Sequence, residues 1–184
     1  MRTIADHLFD ILENSVNANA NKIIVTFSFC KNFFLCRVID NGIGTSLKNI
    51  TDPFVTSRKT RRVGLGLPLL KATTEGTGGY LKMSKLGKRA GTRLEFVVNM
   101  THIDARPFGD IPVVFADVLR SWSGVDFEII ILKSKKEKKI LDTIELKKLL
   151  DVKILQDIEI LNFVKEQLRK ELLKMGINQQ FGVS

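Results

Sequence analysis

The sequence predicts an α/β (α+β) fold, and three observations carry that prediction. Runs rich in β-branched and aromatic residues come in adjacent pairs, "KIIVTFSF" with "FFLCRVID" and "YLKMSKLG" with "GTRLEFVVNM", each pair joined by a short turn in the manner of an antiparallel hairpin. Stretches with apolar residues at helical spacing precede, separate and follow these pairs. The 184 residues, 44% apolar and 27% charged, suffice for one good core, or for one domain with an appendage.

The elements follow in order. Residues 3 to 18 read as a helix with Ile4, Leu8, Ile11, Leu12 and Val16 at helical spacing. The first hairpin turns at "CKN", and "DNGIG" ends its second strand. "TDPFVTSRKTRRVGLGL" has no steady period and reads as a long loop, after which "GLPLLKATTEGTGG" forms a helix that stops at Gly76 to Gly79. The second hairpin turns at Gly87 to Gly91. Beyond residue 103 the character changes, which divides the chain into 1–103 and a C-terminal α/β extension, 104–184. There "FADVLRSW" reads as a short helix, "DFEIIILKS" as a strand and "KKEKK" as an exposed turn. "DIEILNFVKEQLRKELLKMG" reads as an amphipathic helix with Ile158, Leu161, Val164, Leu168 and Leu172 on one stripe and Gly176 as its cap.

Composition excludes several function classes. No apolar run approaches the roughly 18 to 20 residues that span a bilayer, and "MRTIADHLFDILENS" lacks the apolar core of a signal peptide, so a cytoplasmic protein with no membrane partner is expected. Cys30 and Cys36 read as reduced thiols within a hairpin. The net charge of +9 is uneven: +8 belongs to residues 1–103 and +1 to the remainder, with the densest basic clusters at 57–62 and 82–89. Such loops suit a nucleic acid, an anionic surface or a phosphorylated small molecule, and charge alone does not choose among them.

One set of motifs does choose. Asn is a poor helix former, yet "ENSVNANAN" places Asn14 and Asn17 beside the apolar run of the first helix. Asp10, Glu13 and Asn14 lie on that helix, and Asp40, Gly42 and Gly44 end a strand. A Ser/Thr/Arg/Lys loop occupies 56–62, and Gly64 and Gly66 open a helix. A carboxylate at a strand end accepts a hydrogen bond from an exocyclic amine, and glycines beside it admit a base edge. Glycines before a helix expose N–H groups to phosphate. An Asn oxygen suits magnesium, and a nearby carboxylate orients or deprotonates water. The order of these pieces therefore points to a nucleotide, and Asn14 earns its place by its oxygen.

"DILENSVNANA", "DNGIG", "DPFVTSRK", "GLGLPLLK" and "GTRLEFVV" resemble, over about residues 3–99, the N box, first glycine box, ATP lid, second glycine box and final Thr-bearing strand of the GHKL ATPases. That superfamily includes gyrase, the ninety-kilodalton heat-shock chaperones, histidine kinases and MutL-type repair proteins. The resemblance implies a two-layer sandwich, a mixed and mainly antiparallel sheet with helices on one face (the Bergerat fold), with ATP between helices and lid. It implies Asn14 as the Mg2+ ligand, Asp40 as the adenine-reading carboxylate, Gly42 and Gly44 shaping the base pocket, and Thr92 supporting the adenine. Gly64, Leu65, Gly66 and Leu67 would line the phosphates, Arg58 or Lys59 would meet the terminal phosphate, and Asn17 and Thr56 complete the set.

The departures are specific. The general base of the hydrolases is a Glu four residues before the magnesium Asn, and here that position is Asp10, one methylene shorter, which implies slow hydrolysis of ATP or none. Arg62 and Val63 precede the second glycine box where the kinases carry a further Gly and a small polar residue, making the lid more basic. The resemblance supplies no phosphoacceptor hairpin before the N box. His7, on the N-box helix, reads as a partly buried or pocket-edge residue, and His102 as a surface residue. A phosphoacceptor or other protein partner in trans is implied. Residues 104–184 resemble the C-terminal part of small stand-alone ATP-binding proteins encoded beside iron-only hydrogenase subunits, which implies an accessory or regulatory role. Three readings stay open: an ATPase or kinase without its own phosphoacceptor domain, a nucleotide-switched binding module of the anti-sigma or complex-assembly kind, and, ranked last, a MutL-like nucleic-acid-binding ATPase.

Overall fold

Thr3 starts the first helix by a reciprocal cap. Its hydroxyl accepts from the Asp6 N–H at 3.1 Å, while the Asp6 carboxylate accepts from the N–H groups of Thr3 and Arg2 at 3.0 and 2.7 Å. The computed structural model describes residues 2–43, 66–86, 91–133 and 136–177. In chain order the elements are α1 (Ile4–Asn17), β1 (Lys22–Cys30), β2 (Phe33–Asp40), α2 (Gly66–Gly76), β3 (Tyr80–Lys85) and β4 (Thr92–Asn99). There follow α3 (Ile111–Ser121), β5 (Asp126–Lys133), β6 (Lys136–Asp142), α4 (Thr143–Leu149) and α5 (Ile158–Lys174).

The described strands form one sheet in the order β3-β4-β2-β1-β5-β6. Every neighbouring pair is antiparallel except β1 with β5, which makes the sheet mixed, as expected. Period-two alternation puts Ile23, Val25 and Phe27 of β1, Phe34, Cys36 and Val38 of β2, and Phe127, Ile129 and Ile131 of β5 on the buried side. All of these but Ile131 pack in one core with Ile4, Leu8, Ile11 and Leu12 of α1, Leu70 of α2, Phe115 of α3 and Val164 of α5. The intervening residues, such as Leu35, Arg37 and Ile39, are half-buried, so helices cover one face and the other is open. The result is the two-layer α/β arrangement of the Bergerat fold. Residues 104–184 contribute β5 and β6 to the same sheet as residues 1–103.

Several expectations are corrected. "KKEKK" is largely strand, because β6 is an edge: its backbone pairs with β5 while Lys136 to Lys139 keep their charges near water. Helix α4 was not expected. Asp142 caps it by accepting from the N–H groups of Ile144 and Glu145, and Thr143, fully buried, accepts from the Phe127 N–H at 2.9 Å. On α5, Leu161, Val164, Leu168 and Leu172 are buried, but Ile158, in the first turn, is 64% exposed. Trp122 packs beside the core with its ring 5.6 Å from that of Phe9. Cys36 is buried and Cys30 exposed, both as free thiols. The expected loop up to Gly64 and Leu65, and most of the Gly87–Gly91 turn, lie outside the described residues.

Candidate functional site

Asp40 is the last residue of β2, opposite Ile23 on β1 and Thr92 on β4. Its side chain points to the helical face, where only 6% of the residue is exposed. The Gly42 N–H donates to its Oδ1 at 2.9 Å, and the Ser15 hydroxyl of α1 donates to its Oδ2 at 3.1 Å. Burial raises the Asp40 carboxyl above its usual range, against the opposing pull of Gly42 N–H, Ser15 O–H and Thr92 N–H.

Gly42 holds this corner because nothing larger fits. A Cβ there would lie 2.6 Å from the Ala18 carbonyl oxygen, which itself accepts from the Ile43 N–H at 2.8 Å. The Gly42 carbonyl accepts from the Gly91 N–H at 2.7 Å. The segment after β2 is thus clamped between the end of α1 and the start of β4. Thr92, opposite Asp40, is 5% exposed.

A second group lies further back on α1. Asn14 Nδ2 donates to Asp10 Oδ2 at 3.3 Å, one helical turn away. A Cβ on Gly66, the first residue of α2, would overlap the Asp10 carboxylate, so glycine allows α2 to begin directly against it. Leu67 packs on the core edge. His7, one turn before Asp10, is buried, with Nε2 3.4 Å from Thr73 Oγ1 on α2. Its Nδ1 is buried without a hydrogen-bond partner among the described residues, and burial lowers its pKa.

The structure therefore brings Asp10, Asn14 and Gly66 together along the C-terminal half of α1, and Asp40, Gly42 and Thr92 together beside the same end of that helix, where Ser15 follows Asn14 directly. Asn17 is exposed at the last position of α1. Gly44, Thr56, Arg58, Lys59, Gly64 and Leu65 lie outside the described residues. Sequence reasoning missed Ser15. Its signal was a polar residue at position 15 on the face that carries Leu8, Ile11 and Leu12, where a buried hydroxyl needs a partner.

The bond to Asp10 uses the Asn14 amide nitrogen, so Oδ1 is the atom that a hard cation would take. The described residues contain no group of three or more His, Cys, Asp or Glu side chains able to cage a metal. A cation here would rest on Asn14 together with phosphate and water oxygens, the usual habit of magnesium. The residues fit a nucleotide and its cation.

Residues 2–102 match the family model of the histidine kinase-, DNA gyrase B-, and HSP90-like ATPases. Among solved structures, the Aquifex aeolicus MutL ATPase domain complexed with ADP aligns over 83% of this chain and 70% of its own, with 13% identity and a TM-score of 0.53. The catalytic domain of histidine kinase ThkA aligns over 54% of this chain and 67% of its own, with 21% identity and a TM-score of 0.42. For the mycobacterial sensor histidine kinase MprB the shares are 50% and 66%, with 19% identity and a TM-score of 0.41. The chain thus spans about two-thirds of the length of these kinase structures. No curated protein matches it. With a family model covering more than half of its length, the chain belongs to the histidine kinase-, DNA gyrase B- and HSP90-like (GHKL) ATPases and is an ATP-binding domain of that type.

Proposed function

We propose that the protein binds Mg-ATP between α1, the end of β2 and the start of α2, and that it slowly hydrolyses ATP or passes the γ-phosphate to a protein partner. The observation that carries this reading is Asp40. A carboxylate buried to this degree and held, among the described residues, by neutral donors alone is destabilising unless a ligand uses it. An exocyclic amine is such a ligand, and adenine carries one.

The other roles follow from position. Asp40 reads the base, Gly42 leaves its edge room, and Thr92 closes the pocket from β4. Asn14 is the magnesium ligand; magnesium supplies charge neutralisation at the phosphates when bound. Gly66 and Leu67 bring the start of α2, with its N–H groups and positive dipole end, to the phosphates. Asp10 stands beside Asn14 to orient or deprotonate a water. Residues 104–184 extend the shared sheet, and the reading gives the protein an accessory or regulatory role in the cytoplasm.

A second reading, a nucleotide-switched module that binds without turnover, is favoured by one feature. Asp10 is shorter than the Glu of the hydrolases and already lies against Asn14 and Gly66. Titration calorimetry with ATP and ADP, with and without Mg2+, followed by phosphate release on the same sample, separates the two. Binding lost in Asp40→Ala, with slow release by the wild type, supports the enzyme. Binding without release in the presence and absence of partner protein supports the switch, and no binding by the wild type overturns both.

A further inference from the structure

We infer that Ser15 sets the base preference of the pocket: its hydroxyl holds Asp40 as a hydrogen-bond acceptor and so selects an amine over a carbonyl on the nucleobase edge. The inference rests on the reading of Asp40 as the base-facing carboxylate.

Three groups favour the charged form of Asp40, and all are neutral: the Gly42 N–H, the Ser15 hydroxyl and the Thr92 N–H. Two are backbone donors that no side chain alters. Ser15 is the side-chain donor of the three, and it stands 3.1 Å from Oδ2. Among the described residues, the positions opposite or bonded to Asp40 are Ile23 on β1, Thr92 on β4, Ser15 on α1 and Gly42, none of them titratable. Whether the buried carboxyl accepts or donates therefore depends on how well neutral dipoles hold its charge.

An ionised carboxylate has about four acceptor sites and no proton. With three donors in place it keeps room for one more, and on the edge of a nucleobase that donor is an N–H. The 6-amino group of adenine supplies one, whereas the 6-carbonyl of hypoxanthine or guanine does not. A protonated carboxyl carries an O–H and pairs with the carbonyl bases instead.

The local helix makes Ser15 a clean place to test this. Its Oγ also lies 3.2 Å from the Ile11 carbonyl, the backbone bond that helix serines commonly make. The hydroxyl has one proton and two acceptors, and the charged acceptor takes it when Asp40 is ionised. Removing the hydroxyl leaves the Ile11 carbonyl with its helical N–H partner, and alanine is the better helix former. The loss falls on Asp40. Ser15 is thus a positioning residue: it acts on the base through the carboxylate.

The test compares wild type, Ser15→Ala and Ser15→Thr by calorimetry with ATP and with inosine triphosphate from about pH 5.5 to 8, alongside carbon NMR titration of Asp40 in the nucleotide-free protein. A hydrogen bond to a charged group corresponds to about tenfold or more in binding. Ser15→Ala is expected to lose about tenfold of the preference for ATP over inosine triphosphate. It is also expected to raise the titration midpoint of Asp40, while Ser15→Thr keeps the wild-type values. Equal loss of both nucleotides in Ser15→Ala, or an unmoved Asp40 midpoint, overturns the inference and leaves the adenine reading standing. Wild-type protein that binds neither nucleotide overturns the adenine reading and the inference with it.

Discussion

The carboxylate of Asp10 occupies the space that a side chain on Gly66 would need. The contact joins the N-box helix to the helix that opens with the second glycine box, so two motifs more than fifty residues apart meet at one point. Gly66→Ala must push the carboxylate or the start of α2 aside. Overpacking of this kind destabilises by about 1–3 kcal/mol. The expected outcome is a lower melting temperature together with weakened ATP binding, and Gly66→Ala binding ATP as the wild type does would show that this junction is not part of the phosphate site.

Asp40 predicts a pH dependence with a definite sign. Burial raises its folded pKa above the ordinary aspartate value of 3.8. Below that value the folded and unfolded chains both hold the proton, and the neutral carboxyl is no burden on the fold. As pH rises through the folded pKa the unfolded chain has already ionised, so the fold loses stability relative to its acid form. Asp40→Asn removes this loss. Nucleotide-free Asp40→Asn should gain thermal stability over the wild type progressively above pH 4 while losing ATP binding. A difference in melting temperature that does not change with pH would contradict the assignment.

How far the sequence carried is clearest from the asparagines. Asn14 and Asn17 belong to the nucleotide reading, and the other asparagines answer to backbone geometry. Asn19 takes a left-handed backbone at φ 59° just after α1, which Asn tolerates better than most residues. Asn41 Oδ1 accepts from the N–H groups of Asn21 and Lys22, and its amide donates to Asn21 Oδ1 at 2.6 Å, tying the start of β1 to the end of β2. Composition showed the cluster, but only the turn geometry separates its members. The hairpins and α1 were legible because their periodicity is local. The pairing of β1 with β5 was not, since parallel partners a hundred residues apart leave no local pattern. The lysines of β6 hid an edge strand behind the look of a turn, and Ser15, marked only by its place on the apolar face of α1, could not be matched to Asp40, 25 positions away.

His7 predicts the opposite pH response to Asp40. Desolvation lowers its pKa from the ordinary 6.5; Arg106 pulls the same way, while Asp6 and Asp10 oppose. The neutral ring therefore stabilises the fold at neutral pH. As pH falls below 6.5 the unfolded chain binds a proton that the folded chain resists, and this contribution disappears as pH falls through the folded pKa. His7→Leu, which keeps an apolar side chain between α1 and α2, should flatten the acid side of a stability profile measured by thermal melts from pH 8 to 5. Retention of the wild-type slope would mean that another group titrates there.

Asp10 is the residue on which enzyme and switch part. Asp10→Asn keeps the size and the neighbours of the carboxylate, with its amide still beside Asn14 and Gly66, but removes its basicity. Positioned general bases contribute about a hundred- to ten-thousandfold in rate. Phosphate release, or transfer to an added partner protein if transfer is the activity, should therefore fall by at least about a hundredfold while calorimetric ATP affinity stays near wild type. Turnover unchanged in Asp10→Asn would exclude the carboxylate as base. Asp10→Glu extends the side chain by one methylene to the length usual in the hydrolases. A rise in hydrolysis in that variant would show that the wild type is held back by reach, which is the physical difference between a slow ATPase and a domain that only binds.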